Sequence, residues 1–248
     1  MNELTVALLT GFLAGAMNAA AGGGSFVTVP ALISVGIPSV AANMSSTIAL
    51  YPGSIASAWV FRKKLQTVRA IPLWALFLST LAGGFCGALL LFTPGSAFDR
   101  IVPWLLVAGA LAFAFAPAIG ARLRRHWQPH AAFLLVVQFV LGVYGGYFGG
   151  AVGILMMAVW SVLGLGEISA MNALKVVLVA AANTIAVLCF SISGHVVWRV
   201  ALVMMAAAAA GGYAGARLAL RLRSSQIRVA ICALNLAIAA AFLWSRIS

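Results

Sequence analysis

The stretch Gly22-Gly23-Gly24-Ser25 breaks the apolar N-terminal part of the chain. It ends an apolar run at residues 4–21 and opens a shorter one at 26–35. A glycine in a helix costs about 1 kcal/mol relative to alanine, and backbone N–H groups freed inside a bilayer need a partner. The stretch therefore either packs closely against another helix or points its amides at a ligand. A helix that begins at Ser25 has free N–H groups and a positive dipole end, which suit an anion.

The composition is that of an integral membrane protein. Apolar residues make up 64% of the 248 residues and charged residues 7%, with a mean hydropathy of +1.12; soluble proteins carry about 25% charged residues. Fifteen Lys and Arg stand against three Asp and Glu. The basic residues cluster in loops at 62–69, 122–125 and 217–228, which predicts that these loops are cytoplasmic. This clustering argues against a nucleic-acid-binding protein.

Apolar runs of about 20 residues, the length of a membrane-spanning helix, account for most of the chain. Two runs are shorter, 26–35 and 151–165, and each follows a glycine-rich break. Each is therefore predicted to be a half-helix or one arm of a re-entrant hairpin; if every run crosses, both termini lie outside. The runs are 4–21, 26–35, 41–61, 70–92, 101–119, 131–148, 151–165, 171–192, 198–220 and 229–244.

The second half of the sequence repeats the first. The matching positions are 82–88 with 210–216, Asn43 with Asn172, and Gly22 with Gly153. Repeat 1 (1–119) and repeat 2 (131–248) each hold five runs, an odd number, so the second is inverted relative to the first. We therefore predict an all-α integral membrane protein, one transmembrane domain over 1–248, with two inverted-topology repeats of about five membrane segments each. Such repeats with paired broken helices are typical of secondary transporters, whose site lies between the repeats.

Lys175 is the strongest candidate for a functional side chain, because an ionisable residue inside an apolar run is costly and commonly serves a purpose. At helical spacing it lies one turn from Asn172 and two turns from Asn183, so these groups can share a face. A lysine ammonium is a compact cation with three hydrogen-bond donors. The alternative is a lysine that reaches the membrane surface.

Polar residues of the first half lie beside the first break and can donate hydrogen bonds to an oxyanion. Alternatively they bond to their own helix or to a neighbouring one. Glycines at 83–87 and 211–215 are predicted to serve close helix packing instead. The predicted substrate-binding set, with the glycine amides on one side and Lys175 on the other, is Asn18, Gly22, Gly23, Gly24, Ser25, Asn43, Ser46, Thr47, Gly153, Asn172, Lys175 and Asn183.

The sequence does not favour an enzyme. Ser25 lacks a Gly-x-Ser-x-Gly motif, the three histidines lack metal-ligand spacing, and the three cysteines lack CxxC spacing. We expect no metal and no cofactor. Because no Asp or Glu lies within a membrane run, a proton-coupled mechanism would depend on Lys175, a histidine or the substrate.

The motifs of both halves resemble the TauE/SafE sulfite exporter family of the TSUP superfamily. The first half contributes Gly11-Phe12-Leu13-Ala14-Gly15, Asn18, the break at 21–25, Pro30-Ala31-Leu32 and Asn43; the second contributes 145–153, 171–175 and 190–196. The resemblance implies transport of small sulfur-containing anions (sulfite, thiosulfate, sulfoacetate or other organosulfonates) across a bacterial inner membrane. Relatives often carry a lysine directly after the first-half Asn, where this chain has Met44, so Lys175 is left as the main cation.

Two other functions remain open at this stage. One is a passive anion channel of the same fold, and the other is an intramembrane thiol or lipid enzyme that uses Cys86, Cys189 or Cys232. The choice of anion, export or import, coupling to a proton or ion, the oligomeric state, and crossing or re-entry of the short segments also remain open.

Overall fold

The structure is a computed structural model that describes residues 2–20, 23–65, 71–92, 130–149, 152–163, 165 and 168–219, and single positions between 98 and 111. This described part is all-helical and contains no strand. A 3-10 turn, Arg62–Lys64, follows α3. The described α-helices are α1 (Glu3–Ala20), α2 (Ser25–Ser34), α3 (Ser39–Phe61), α4 (Leu73–Leu90), α5 (Ala131–Phe148), α6 (Val152–Val162), α7 (Ile168–Ser191) and α8 (Trp198–Ala219).

The two helices that follow the glycine breaks are short, as predicted. α2 has 10 residues and α6 has 11, so at 1.5 Å per residue each spans about half of a ~30 Å hydrocarbon core. Among the described residues, three helical segments are long and apolar enough to cross a membrane, namely Leu73–Leu90, Ala131–Phe148 and Met171–Ser191. The predicted run 229–244 and most of 101–119 lie outside the described residues.

Glycines bring two pairs of helices into backbone contact. In the pair of α4 and α5, a Cβ at Gly83 or Gly87 would collide with the backbone of α5, and one at Gly146 would collide with Gly84. In the pair of α1 and α8, Gly15 lies against Ala208 and Gly211 against Phe12 in the same way. The prediction of close packing is therefore confirmed for Gly83, Gly87 and Gly211.

The helices of the two halves pack against equivalent neighbouring helices. α1 packs on α8 as α5 packs on α4, and α3 packs on α8 as α7 packs on α4. The short helices are also equivalent, because α2 lies against α1 and α3, whereas α6 lies against α5 and α7. α3 and α7 pack on each other and join the two halves. Exchanging α1–α4 with α5–α8 thus leaves the pattern of packing partners unchanged.

Candidate functional site

The two glycine-rich breaks, at 22–25 in the first half of the chain and at 149–153 in the second, come together in the folded protein. Phe26, at the start of α2, and Phe148, the last residue of α5, place their ring centroids 6.3 Å apart. A Cβ on Gly23 of the first break would lie 3.3 Å from Ile154 Cδ1, in the first turn of α6. Phe26, Phe148 and Ile154 belong to one buried cluster. The fold therefore joins two breaks that are more than a hundred residues apart in the chain.

The first break is closed by its own half of the chain. The backbone N–H of Gly24 donates to Asn18 Oδ1 at 2.8 Å, and the N–H of Phe26 donates to the carbonyl of Gly23 at 3.0 Å. A Cβ on Gly24 would come within 2.6 Å of the Ala14 carbonyl of α1. Gly24 is thus tightly packed against α1. Its amide donates to the Asn18 side chain, whereas the sequence predicted that the glycine amides face the substrate. Gly22 lies outside the described residues.

The hydroxyls next to the first break are buried and partly paired. Ser46 on α3 is fully buried, and its Oγ lies 2.5 Å from Thr28 Oγ1 of α2. Ser25, the first residue of α2, is 7% exposed. This pairing fixes α2 against α3, and it occupies one of the hydroxyls predicted to contact the substrate.

The second break is closed from the other half of the chain. Asn43 of α3 donates from Nδ2 to the carbonyl of Tyr147 at 3.0 Å, in the last turn of α5. Thr47 donates from Oγ1 to the Asn43 carbonyl at 2.9 Å, next to Gly149, which ends α5 at a φ of 69°. The α5 terminus thus lies against the α3 polar residues that the sequence placed in the site.

Lys175 lies against the second break. A Cβ on Gly153 would be 3.3 Å from Lys175 Cδ and 3.4 Å from Val179 Cγ2, so the absence of a side chain at Gly153 leaves room for the lysine stem. The Lys175 side chain is partly buried, and no ion pair or hydrogen bond joins it to another described residue. A cation is thus held at the break without a protein counterion in the described part of the chain.

The remaining predicted residues lie on α7. Asn172 is partly buried, and Asn183 is 8% exposed. The Oδ1 atoms of Asn183 and Asn43 are buried and have no hydrogen-bond partner among the described residues. The structure therefore places Gly23, Asn43, Thr47, Gly153 and Lys175 at the two breaks. The side chains of Asn18, Asn43, Ser46 and Thr47 bond to neighbouring protein groups.

Sequence reasoning missed a buried polar network behind the second break. Gln138 of α5 is fully buried and donates from Nε2 to Thr80 Oγ1 of α4 at 2.8 Å. Its Oε1 accepts from Trp160 Nε1 of α6 at 3.2 Å. The available signal was a lone glutamine in the apolar run 131–148. The network ties α6 to α4 and α5, and so helps to fix the position of the break.

Comparison with known proteins then identifies the family. The family model described as sulfite exporter TauE/SafE matches residues 7–242. The chain belongs to the TauE/SafE family. The resemblance found in the sequence motifs is thereby confirmed.

Relatives of this TauE/SafE chain carry the names of membrane transporters. A "Probable membrane transporter protein" of Haemophilus influenzae is 31% identical over 228 residues, covering 91% of this chain and 88% of the relative. "Probable membrane transporter protein YfcA" of Escherichia coli K12 is 28% identical over 243 residues, covering 97% and 90%. "Probable membrane transporter protein ORF9" of a Sinorhizobium species is 28% identical over 240 residues, covering 95% and 90%. No solved structure matches the chain.

These findings agree on the class of protein. The apolar helices, the TauE/SafE family and the names of the relatives indicate a membrane transporter rather than an enzyme. Of the cysteines considered for thiol chemistry, Cys86 is exposed and Cys189 partly buried, and Cys232 lies outside the described residues.

Proposed function

We propose that this TauE/SafE chain is a multi-pass secondary transporter of the bacterial inner membrane that moves small sulfur-containing anions. The substrates would be sulfite, thiosulfate, sulfoacetate or other organosulfonates. The observation that carries the proposal is the position of Lys175, a cation without a described counterion, against the second of two breaks that meet at the centre of the fold. A cation in a low-dielectric interior attracts an anion far more strongly than it would in water.

The proposed site lies between the two halves. Lys175 would supply the charge, and backbone groups of the two breaks would orient the oxyanion, as at the broken helices of other transporters. Asn18 accepts a hydrogen bond from the Gly24 amide, and Asn43 donates one to the Tyr147 carbonyl. These two asparagines would therefore close the breaks and set the shape of the site. Hydrogen bonds to a charged group contribute about 1.5–3 kcal/mol, so the single ammonium is expected to dominate anion affinity.

The proposed mechanism is alternating access between two inverted repeats. The equivalent packing partners of α1–α4 and α5–α8 support it, because two similar halves around one central site can exchange their conformations. The exposed Arg62 and Lys63 lie in the turn after α3, where the positive-inside rule assigns the cytoplasmic side.

Flux measurements in proteoliposomes test the proposal. We expect saturable uptake and trans-stimulated counterflow of labelled sulfite, thiosulfate or sulfoacetate by the intact protein. Lys175→Ala should lower the flux about tenfold to a hundredfold, as expected from losing about 1.5–3 kcal/mol, while the protein still assembles. Lys63→Ala, at an exposed lysine outside the site, is the matched control and should transport normally.

The opposite results have distinct meanings. Saturable flux that is unchanged in Lys175→Ala would remove this lysine from the site. Large single-channel currents without trans-stimulation would replace the transporter by a passive channel of the same fold. The absence of saturable flux for every sulfur anion would overturn the proposed function.

A further inference from the structure

The second break presents two helix ends of opposite polarity. α5 runs into the break and α6 leaves it, so the last carbonyls of α5 carry a partial negative charge and the first N–H groups of α6 a partial positive one. Lys175 lies against the α6 end, at Gly153. The α5 end lies instead against Asn43 and Thr47 of α3, and these residues give it a different chemistry.

Asn43 directs an unpaired oxygen at the end of α5. The residue is 0% exposed, and its Nδ2 donates to the Tyr147 carbonyl at 3.0 Å. Turning the amide over would bring two carbonyl oxygens together, so the second atom of the amide is the acceptor Oδ1. Oδ1 is buried and has no hydrogen-bond partner among the described residues. Because buried polar atoms are nearly always paired, this oxygen indicates a bound ligand.

Thr47 brings a second oxygen to the same helix end. Its hydroxyl donates to the Asn43 carbonyl at 2.9 Å, so Oγ1 offers only lone pairs to any further partner. A Cβ on Gly149 would lie 3.0 Å from Thr47 Oγ1 and 3.7 Å from the Gly145 carbonyl oxygen. The glycine therefore keeps a side chain out of the space between the hydroxyl and the last turn of α5.

The oxygens at the end of α5 suit a small monovalent cation. A cation can be shared by several acceptors, whereas an anion is repelled by them. α3 and α5 contain no Asp or Glu, so the site lacks the carboxylates that calcium and magnesium prefer and has none to hold a proton. In transporters with broken helices, backbone carbonyls and the C-terminal ends of half-helices coordinate sodium.

We propose that the end of α5, with Asn43 Oδ1 and Thr47 Oγ1, binds a sodium ion and that this ion is transported together with the anion. The coupling rests on the proposed function, whereas the binding site does not.

The sodium site and Lys175 lie at different levels of the fold. Met44 Sδ accepts from Ser193 Oγ at 3.4 Å, and the hydroxyl oxygens of Tyr51 and Thr184 lie 3.0 Å apart, so α3 and α7 run antiparallel. Along these helices, Lys175 lies on the opposite side of the Tyr51–Thr184 contact from Asn43. The lysine ammonium therefore does not compete for the oxygens at the end of α5.

Thermal unfolding of the intact protein in detergent tests the binding site without transport. We expect sodium chloride to raise the unfolding temperature saturably relative to choline chloride at equal ionic strength, because a ligand that binds only the folded state stabilises it. Thr47→Val removes Oγ1 at similar shape, so the half-saturating sodium concentration should rise about tenfold or more. Thr10→Val is the matched control, because the Thr10 hydroxyl also bonds to its own helix, at the Val6 carbonyl of α1 at 2.6 Å.

Proteoliposomes test the coupling. At a fixed membrane potential, an inward sodium gradient should accelerate uptake of labelled sulfite severalfold over an inward choline gradient. Thr47→Val should again need more sodium for the same rate, whereas Thr10→Val should match the wild type. Asn43→Leu should abolish the sodium effect; if it fails to assemble, since it also loses the bond to Tyr147, Thr47→Val decides.

Three results would overturn the binding site. The first is an unfolding temperature that is equal in sodium and choline, which would assign Asn43 Oδ1 to an ordered water. The second is a sodium effect that Thr47→Val leaves unchanged, and the third is saturable stabilisation by calcium or magnesium but not by sodium. Saturable sulfite flux that is independent of sodium contradicts the coupling alone. Sodium binding without saturable flux of any sulfur anion overturns the proposed function and leaves the binding site standing.

Discussion

The two glycine breaks have similar sequences, yet the fold closes them in opposite ways. At the first break Asn18 accepts a hydrogen bond from the Gly24 amide, and both residues belong to the same half of the chain. At the second break Asn43 donates to the Tyr147 carbonyl, and these residues come from different halves. One break thus satisfies a freed N–H group, and the other satisfies a freed C=O group.

The breaks also differ in what their glycines face. Gly24 lies against the backbone of Ala14, which leaves no room for a side chain, whereas Gly153 lies against the flexible stem of Lys175. The first break is therefore packed against backbone, and the second borders a lysine side chain. Glycine-rich breaks in equivalent positions can thus serve different purposes, here backbone packing at Gly24 and space for the Lys175 stem at Gly153. Substitutions at each break can measure these two purposes separately.

The largest loss of stability is expected when aspartate replaces Asn43, and the matched comparison is the same replacement at Asn18. Asn43→Asp removes the donor to Tyr147 and places a carboxylate against a carbonyl at a fully buried position, so the free energy of unfolding should fall by more than about 3 kcal/mol. Asn18→Asp keeps the acceptor for the Gly24 N–H at the N-terminus of α2, where negative charge is favoured, so its cost should be smaller than that of Asn43→Asp. Thermal unfolding of both variants in detergent checks this contrast. Equal losses would contradict the opposite polarity of the two closures.

The next largest loss of stability is expected when a side chain is added at the backbone contact of the first break. Gly24→Ala places a methyl group 2.6 Å from the Ala14 carbonyl, which neither helix can avoid without moving, so it should cost about 1–3 kcal/mol. Gly53→Ala is the control, because nothing lies within 4 Å of a Cβ there, and alanine should be neutral or slightly stabilising. A Gly24→Ala protein with the wild-type unfolding temperature would show that the first break is not tightly packed.

A smaller effect is expected at the end of α5. Gly149→Ala forces an L residue to a φ of 69° and places its Cβ 3.0 Å from Thr47 Oγ1, for a cost of about 1–2 kcal/mol. Gly36 has a φ of 89° and nothing within 4 Å of a Cβ placed there. The loss of stability in Gly36→Ala therefore measures the backbone strain alone. The excess loss in Gly149→Ala over Gly36→Ala, measured as unfolding temperature, isolates the contact with Thr47.

The smallest effect on stability is expected at Gly153. Gly153→Ala meets Lys175 Cδ at 3.3 Å, and the lysine stem can move aside, so stability should change by less than about 0.5 kcal/mol. Because Lys175 shifts, flux of sulfite in proteoliposomes should nevertheless fall several-fold. A strongly destabilised but normally transporting variant would reverse the roles assigned to the two breaks.

Most of the helices could be predicted from the sequence. The run at 131–148 coincides with α5, and the predicted short segments 26–35 and 151–165 correspond to α2 and α6. This works because the length of an apolar run and the helix-breaking effect of glycine are local properties. Asn43 and Lys175 could also be singled out, since polar groups in apolar runs are rare and costly.

The partners of these polar groups could not be predicted. An asparagine amide both donates and accepts, so the sequence does not reveal that Asn18 accepts while Asn43 donates. Nor does it reveal that Gln138 would be held by Thr80 and Trp160. These outcomes depend on which backbone groups the packed helices bring within about 3 Å of each amide.

The sequence by itself determined that this protein is a helical membrane protein, that glycine-rich stretches interrupt it twice, and that a lysine lies in an apolar run. These properties follow from composition and local backbone preferences. Only the tertiary structure decided that the two breaks meet, that the second is closed from the opposite half, and that Gly153 leaves space for Lys175. The physical reason is that close packing and hydrogen bonding join residues distant in the chain, and their geometry is fixed when the helices assemble.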